Sequence, residues 1–396
     1  MITVPEAQRR IAAAFTPIAA ELVDLAHLAG RVVADAIKAH TDQPPLPVSA
    51  MDGFAVRAAD GDAPRKVIGT APAGHPFAGK VGANESVRIF TGAVIPEGAD
   101  AIVIQEEVDI AGGDAHFNAS AIRPDYVRPA GLDFKAGTAL VPAGKRITAR
   151  DVALLAAADI TEAKVRRRPR VAIASIGDEL SAPGTPRPPG GIAASTSYGL
   201  AAMIANWGGA PCDLGILPDN ATDIAKIAAA DADLVVTLGG ASVGDHDLVQ
   251  KALGSTDFEL DFWKVAMRPG KPLLFGRLGD TPIIGMPGNP VSALVCAILF
   301  LKPAIDAMLG TTGQRGDGRA PTARLKHDLP ANDGRQAYIR ARLIQDGDDI
   351  WAEPFALQDS SVLSVLAKAD ALIVRLPDAA PAEAGDRVEI IPLDGY

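Results

Sequence analysis

Leu234-Val-Val-Thr-Leu238-Gly-Gly240-Ala-Ser242-Val-Gly244-Asp-His-Asp247 joins an apolar run to a glycine-rich turn and two carboxylates. The run Leu234 to Leu238 predicts a buried strand, and the turn after it can be read in two incompatible ways. As Gly-x-Ser-x-Gly between a strand and a helix, Gly240 to Gly244 has the form of a hydrolase nucleophile elbow. As a turn rich in backbone amides, followed by Asp245 and Asp247, it has the form of a site where amides meet an anion while oxygens hold a hard cation. Ser242 is a nucleophile in the first reading. In the second it is a small residue that lets backbone approach a phosphate.

Outward from this turn the sequence reads strand then helix, repeated. Strands are predicted at Arg170 to Ser175, Leu234 to Leu238, Pro272 to Phe275 and Pro282 to Ile284, and helices at Tyr198 to Trp207, Ala221 to Ala230 and Val291 to Met308. This alternation predicts a parallel sheet covered on both faces, whose ligands gather at the carboxyl ends of the strands. Three strand ends carry polar loops: Ile176-Gly-Asp-Glu-Leu180, Gly239 to Asp247, and Gly285-Met-Pro-Gly-Asn-Pro290. In the last, Asn289 is placed to cap a helix and Pro290 suits its first turn, leaving free amides aimed at an anion. A tight, well-capped turn without any ligand would read the same, and the coincidence of three such loops favours a site.

Elsewhere the pattern changes. Residues 5 to 39 carry Ala, Leu, Ile and Val at helical spacing, interrupted at Pro17 and Gly30, which predicts two helices. Pro44, Pro45 and Pro47 mark a linker, and Met51 to about Arg123 holds short β-prone runs between Gly and Pro, a small β-rich domain. A helix is predicted near Thr148 to Ala158 with Thr148 as N-cap. From about Gly316 short strands and turns resume, predicting a final small β domain.

At 396 residues the chain should form two to four domains. Its 48% apolar and 22% charged residues are ordinary for a globular protein, and disorder is not indicated. Met1-Ile-Thr-Val-Pro-Glu-Ala-Gln-Arg-Arg10 lacks the apolar core of a secretory signal. The best membrane-spanning candidate, Val291 to Leu309, contains Lys302, Pro303 and Asp306 and reads better as a buried helix. Cys212 and Cys296 sit among apolar or small neighbours and make no disulfide framework, which fits a reducing cytoplasm. A formal charge of -10 argues against general nucleic-acid binding. An anionic ligand needs a local basic patch, and Phe262 to Arg277 supplies Lys264, Arg268, Lys271 and Arg277 with no acid.

Asp178, Glu179, Asp245 and Asp247 offer carboxylate oxygens without a Cys/His cluster, so a metal here would be hard, Mg²⁺ before Zn²⁺. Acids also favour helix starts without any metal. Gly74-His-Pro-Phe-Ala-Gly79-Lys80 fits GxxxxGK, but Val81 replaces the hydroxyl of a P-loop and no helix is predicted to follow. A hydrolase triad would need a later acid and then a His. Only His327 follows His246, and it lies in the charged segment Arg324-Leu-Lys-His-Asp328.

Six motifs resemble one family. They are Ser49-Ala-Met-Asp-Gly-Phe-Ala-Val56; Phe90-Thr-Gly-Ala93 with Pro96-Glu-Gly-Ala-Asp100; Gly177-Asp-Glu-Leu180; Gly239-Gly240 with Ser242-Val-Gly-Asp245; Lys264 with Arg268-Pro-Gly-Lys-Pro272; and Pro287-Gly-Asn-Pro-Val-Ser292. In order and over nearly the whole chain they resemble the MoeA proteins, molybdopterin molybdenumtransferases, whose relatives include the E domain of gephyrin.

The resemblance implies a multidomain α/β plus β protein with four domains. An elongated dimerisation domain takes residues 1–44 and 125–168, an inserted β domain 45–124, a MogA-like α/β domain 169–316, and a C-terminal β-barrel-like domain 317–396. It implies a homodimer whose active site lies at the subunit interface, where the segments around Asp52 and Thr91 of one chain face the α/β domain of the other. It also implies molybdate insertion into adenylylated molybdopterin with release of AMP and the help of Mg²⁺. Molybdopterin adenylyltransferase and molybdoenzyme-specific delivery proteins are the partners it implies, with no nucleic acid and no membrane. Carried over by motif, Asp52, Thr91, Asp133, Glu179, Asp219 and Asp247 form the catalytic set. Gly239, Gly240, Ser242, Gly244, Lys264, Arg268, Lys271, Pro287, Gly288, Asn289, Pro290 and Ser360 form the substrate-binding set, and Asp178, Glu179, Asp245 and Asp247 the metal set.

The chain departs from the family at four places. Arg268 stands where a second Lys is usual and presents a planar fork to an oxyanion. Asp-Ser-Asn reads here as Ala194-Ser195-Thr196, Gly-Glu-Asp as Gly131-Leu132-Asp133, and Gln-Gly-Ser-Gly as Gln358-Asp359-Ser360-Ser361. The leading reading is a molybdenum insertase. A non-catalytic or divergent molybdopterin carrier, an adenylyltransferase, and a serine hydrolase using Ser242 are the alternatives.

Overall fold

The computed structural model describes residues 1–220, 222–223, 226–240, 258–312 and 320–394, so Ser242, Gly244, Asp245 and Asp247 lie outside the described residues. The chain divides into two compact units. One comprises Met1–Glu21, Gly30–Ala34 and Arg166–Tyr396, the other Leu22–Ala29 and Asp35–Val165.

The first helix, α1 (Val4–Ala13), starts at Thr3, whose hydroxyl accepts from the Glu6 N–H at 3.3 Å. Its buried residues Val4, Ala7 and Ile11 recur at helical spacing, one stripe turned to the core. This helix belongs to the larger unit, where the Ile18 N–H donates to Met308 O at 2.8 Å. The second helix expected before residue 39 does not form. Pro17 and Gly30, the latter at φ 78°, leave a segment too short for a stable isolated helix. Ala20–Asp24 is a strand and Leu25–His27 a 3₁₀ turn instead.

The smaller unit holds a six-stranded sheet: β1 (Gly53–Val56), β2 (Arg65–Ala71), β3 (Glu85–Ile89), β4 (Ala101–Ile104), β5 (Asp109–Ala111) and β6 (Asp114–His116), ordered β4-β1-β3-β2-β6-β5. Gly53 is required where β1 meets β4, because a Cβ there would lie 2.0 Å from the Val103 carbonyl oxygen. The GxxxxGK segment is a loop folded around Phe77, whose ring fills the space over Gly69 and Gly79. Lys80 pairs with Glu97 at 2.9 Å and strand β3 follows, so this loop is no P-loop. Helix α2 (Ala149–Ala157) begins at the expected Thr148 with a reciprocal cap: Thr148 N–H donates to Asp151 Oδ2 at 2.9 Å, and Asp151 N–H to Thr148 Oγ1 at 3.3 Å.

In the larger unit a second six-stranded sheet contains β7 (Arg170–Ile176), β8 (Ala210–Leu217), β9 (Leu234–Leu238), β10 (Phe258–Trp263), β11 (Leu274–Leu278) and β12 (Thr281–Met286), ordered β8-β7-β9-β12-β11-β10. Strands β8, β7, β9 and β12 are parallel, as the α/β alternation predicts. The sheet is not parallel throughout, however: β12 with β11 and β11 with β10 are antiparallel. The cause is local. Only Gly279 and Asp280 separate β11 from β12, and a two-residue connection can build only a hairpin.

Helices α1, α3 (Thr196–Asn206) and α4 (Pro290–Leu309) bury one face of this sheet, with Val171, Ile173, Val236, Ile284, Leu200 and Phe300 among the core residues. Helix α4 is long and apolar enough to cross a membrane, but 72% of its apolar window is buried inside the protein, as in a core helix.

The C-terminal strands β13 (Thr322–Leu325), β14 (Gln336–Asp346), β15 (Asp349–Pro354), β16 (Ala371–Arg375) and β17 (Arg387–Pro392) close into a five-stranded barrel. The pairing of β14 with both β15 and β16 completes the circuit. Residues Met267–Arg268, from the loop after β10, pair in parallel with Gln336 and Ala337 of β14.

Candidate active site

A cavity of about 990 Å³ opens at the carboxyl ends of β7, β9 and β12. It is lined by Gly177, Asp178 and Glu179 after β7, Gly239 and Gly240 after β9, and Pro287, Gly288, Asn289 and Pro290 after β12. The described parts of the three loops that the strand-end rule gathers, with Gly239 and Gly240 from the second, do meet. Parallel strands force this, because their carboxyl ends share one edge of the sheet. The contact is backbone on backbone: a Cβ on Gly288 would stand 3.7 Å from Gly239 Cα, and one on Gly239 only 2.4 Å from Ile176 O. Gly239, at φ 90°, also donates its N–H to Met286 O at 3.1 Å, tying the ends of β7, β9 and β12 together.

Asp219, beyond β8, joins the same cavity, and its N–H donates to Asp178 Oδ1 at 3.1 Å. The Glu179 carboxylate folds back over Gly177, where a Cβ would come within 2.5 Å of it. Asp178, Glu179 and Asp219 therefore give the cavity an all-oxygen donor set, chemically suited to a hard cation. Among the described residues no three His, Cys, Asp or Glu side chains are grouped closely enough to hold a metal by themselves.

The start of α4 corrects one expectation. Asn289 occupies the N-cap position, but its side chain makes no cap; Nδ2 donates to Ser360 Oγ at 3.0 Å. The Val291 N–H donates to Ser360 O at 3.1 Å. A barrel loop thus occupies the amide that the sequence leaves free for an anion, because its carbonyl is already an acceptor held at the helix start. This loop brings Ser361 and Leu363 to the cavity wall, and Ser195 comes from the start of α3. None of these three is among the residues carried over by motif. Within the loop Asp359 Oδ1 accepts from Ser361 N–H at 2.8 Å and from Ser361 Oγ at 2.6 Å, bonds that hold its carboxyl below the usual carboxylate range.

Beneath the loop lies a residue that sequence reasoning missed. Arg340 on β14 is 1% exposed, and its Nε, Nη1 and Nη2 have no hydrogen-bond partner among the described residues. Gln358 clamps its backbone on both sides, accepting from Arg340 N–H and donating to Arg340 O, each at 3.0 Å. Burial lowers the guanidinium pKa, and the charge of Asp359 opposes that shift. An arginine in an alternating strand gives no signal of this, because strand period does not say that both faces of the barrel wall are covered.

Lys264, Arg268 and Lys271 share the loop between β10 and β11. Pro272 from that loop lines the cavity; the three cations do not. Lys264 has φ 73°, and its Nζ stands 3.7 Å from the Trp263 ring centroid. Arg268 is exposed, with Nη1 3.9 Å from Asp333 Oδ2.

In the smaller unit Asp52 and Thr91 come together. Asp52 Oδ1 accepts from Thr91 N–H at 2.7 Å and from Thr91 Oγ1 at 2.8 Å, and these bonds hold the carboxyl below its ordinary value. Asp133 is exposed and donates its N–H to Gln43 O at 2.9 Å; none of the described hydrogen bonds links its carboxylate to Asp52 or Thr91.

Three family descriptions match consecutive parts of the chain. Residues 2–158 match the MoeA N-terminal region (domain I and II), residues 172–307 a probable molybdopterin binding domain, and residues 322–393 the MoeA C-terminal region (domain IV). Among curated relatives, the molybdopterin molybdenumtransferase of Nostoc sp. is 35% identical over 368 residues, 89% of this chain and 84% of the relative. That of Haemophilus influenzae is 33% identical over 390 residues, 96% of this chain and 95% of the relative. Among solved structures, the molybdopterin biosynthesis MoeA protein from Pyrococcus horikosii matches all of both chains with a TM-score of 0.87 at 29% identity.

Proposed function

The chain belongs to the MoeA family, and from that premise we propose that it acts as a molybdenumtransferase of molybdenum cofactor biosynthesis, inserting molybdenum into molybdopterin. The substrates are molybdate and adenylylated molybdopterin, and AMP is the product released. The observation that carries the reading is the cavity at the strand ends, where glycine-rich backbone from three loops faces carboxylates. Amide-rich turns suit a pyrophosphate. Carboxylates recruit the cation that such a group requires.

Asp178, Glu179 and Asp219, with Asp245 and Asp247, which follow Gly240 in the sequence, are the groups that would hold Mg²⁺. That ion would supply positive charge to the phosphate oxygens as the AMP bond breaks. Gly239, Gly240, Ser242, Gly244, Pro287 and Gly288 let backbone approach the phosphates. Lys264, Arg268 and Lys271, on the loop whose Pro272 lines the cavity, hold molybdate as cations. Ser360 fixes the loop over the start of α4. Asp52, held as a carboxylate by Thr91, orients substrate or accepts a proton, and Asp133 acts with it. The protein works in the cytoplasm as a homodimer in which the Asp52 and Thr91 segment of one chain faces the cavity of the other, and the elongated and inserted β domains serve that arrangement.

A reconstitution tests the proposal. Purified protein is incubated with adenylylated molybdopterin, Mg²⁺ and molybdate, and AMP and active cofactor are followed. Both should form together. Tight binding of adenylylated molybdopterin without either product would reject the transferase and support a carrier.

A further inference from the structure

The backbone of Lys264 lies in the left-handed region, which side chains other than glycine disfavour. The residue is held there from several directions. Its N–H donates to Leu273 O at 3.0 Å, and its carbonyl oxygen accepts from Ile2 N–H at 3.2 Å. Two residues on, the Ala266 N–H donates to Ile2 O at 2.8 Å and Ala266 O accepts from Gln336 N–H at 2.9 Å. The N-terminal segment and the barrel together pin the loop. Strain that is over-determined in this way aims a side chain.

The aim is at an aromatic face. Lys264 Nζ stands 3.7 Å from the Trp263 ring centroid, and Trp263 packs against the cluster of Ala172, Ala174, Ile176, Val235 and Leu274, which fixes the ring. The arginines nearby are held differently. Asp333 Oδ2 lies 2.6 Å from Arg335 Nη2 and 3.9 Å from Arg268 Nη1, so one carboxylate already offsets part of both charges. Lys264 has no carboxylate within ion-pair distance among the described residues.

A ring quadrupole attracts an ammonium without carrying a net charge. We propose that Trp263 is a positioning residue for oxyanion capture: its indole fixes the Lys264 ammonium while leaving the charge uncancelled, so that molybdate meets an ordered cation it need not take from a carboxylate. The proposal rests on the reading of Lys264 as a molybdate-binding residue. It adds the residue that prepares that lysine, whose flexible four-carbon stem would otherwise sample many positions.

Molybdate alone is the probe, titrated into the full-length protein and into the Trp263→Leu, Trp263→Phe and Lys264→Met variants. Dialysis reads affinity, tryptophan fluorescence reads the ring, and thermal melting checks folding. Wild-type fluorescence should change on molybdate binding, and the change should vanish in Trp263→Phe. Trp263→Leu should weaken molybdate binding about tenfold, and Trp263→Phe, which keeps an aromatic face, less than about threefold. In turnover the loss should fall on the KM for molybdate rather than on kcat. Wild-type affinity in Trp263→Leu would overturn the proposal, as would a wild-type fluorescence that ignores bound molybdate; the second readout needs no variant to fold. Unchanged affinity in Lys264→Met would remove Lys264 from the site and the proposal with it, while AMP release in the reconstitution would keep the proposed function standing.

Discussion

Asp52 and Thr91, 39 positions apart, are joined twice: the backbone N–H and the hydroxyl of Thr91 both reach Asp52 Oδ1, at 2.7 and 2.8 Å. Two donors on one oxygen stabilise the charged form, with Arg88 adding a smaller attraction, so the folded-state pKa lies below that of the unfolded chain. Asp52 at neutral pH is therefore a carboxylate, able to accept a proton and unable to give one.

Thr91→Val removes one of these donors and should raise the Asp52 pKa towards its ordinary value. Because the native pKa is depressed, the linked stability is fully present above the unfolded value and is lost as pH falls through the folded one. The variant should thus lose stability at neutral pH relative to wild type, and the difference should shrink in acid. Carboxyl NMR titration of Asp52 with melting curves across pH checks both; an unmoved pKa would remove Thr91 as its cause.

Gly239→Ala tests the backbone contact that closes the site. The new Cβ would meet Ile176 O at 2.4 Å from a residue with φ 90°. Urea unfolding should show a loss of about 1–3 kcal/mol. A stability equal to wild type would mean that β7 and β9 separate freely at their ends.

Arg340→Met replaces a buried guanidinium whose side-chain nitrogens lack partners among the described residues. Desolvating a charge without pairing it is unfavourable, so an apolar side chain of similar length should leave Tm unchanged or raise it. A fall in Tm of several degrees would show that the guanidinium has a stabilising contact unlike those described.

The proposed dimer predicts complementation. Asp52→Ala and Glu179→Ala should each abolish most turnover as separate homodimers. Mixed by co-expression, half the dimers are hybrids with one intact site of two, so activity should return to about a quarter of wild type. No recovery in verified hybrids would place both residues in a site made by one chain.

The legible parts of this fold were those fixed by local pattern. The runs predicted at Arg170 to Ser175 and Leu234 to Leu238 form buried parallel strands, and Thr148 caps its helix as predicted. Local pattern failed where another segment decided the outcome. The stretch after Pro17 has helical spacing, yet its backbone is taken up by strand pairing. Asn289 has the composition of a cap, but a serine 71 residues away receives its side chain. The same contrast holds at the site. Loops at parallel strand ends could be gathered by rule, whereas Ser361 and Leu363 reach the cavity on a loop of the barrel, which no spacing records. The hairpin of β11 and β12 was readable in principle from the two residues between them.

In the proposed function the carboxylates at the strand ends drive release of AMP as molybdenum is inserted. The most direct test is single-turnover AMP release from adenylylated molybdopterin, with Mg²⁺ and with or without molybdate, by wild type and by the Asp178→Ala/Glu179→Ala double variant. Wild type should release AMP in step with molybdate addition, and the double variant should be slower by at least about a hundredfold, as expected when groups stabilising transition-state charge are removed. Equal rates in the two proteins, or no AMP release from wild type, would contradict it.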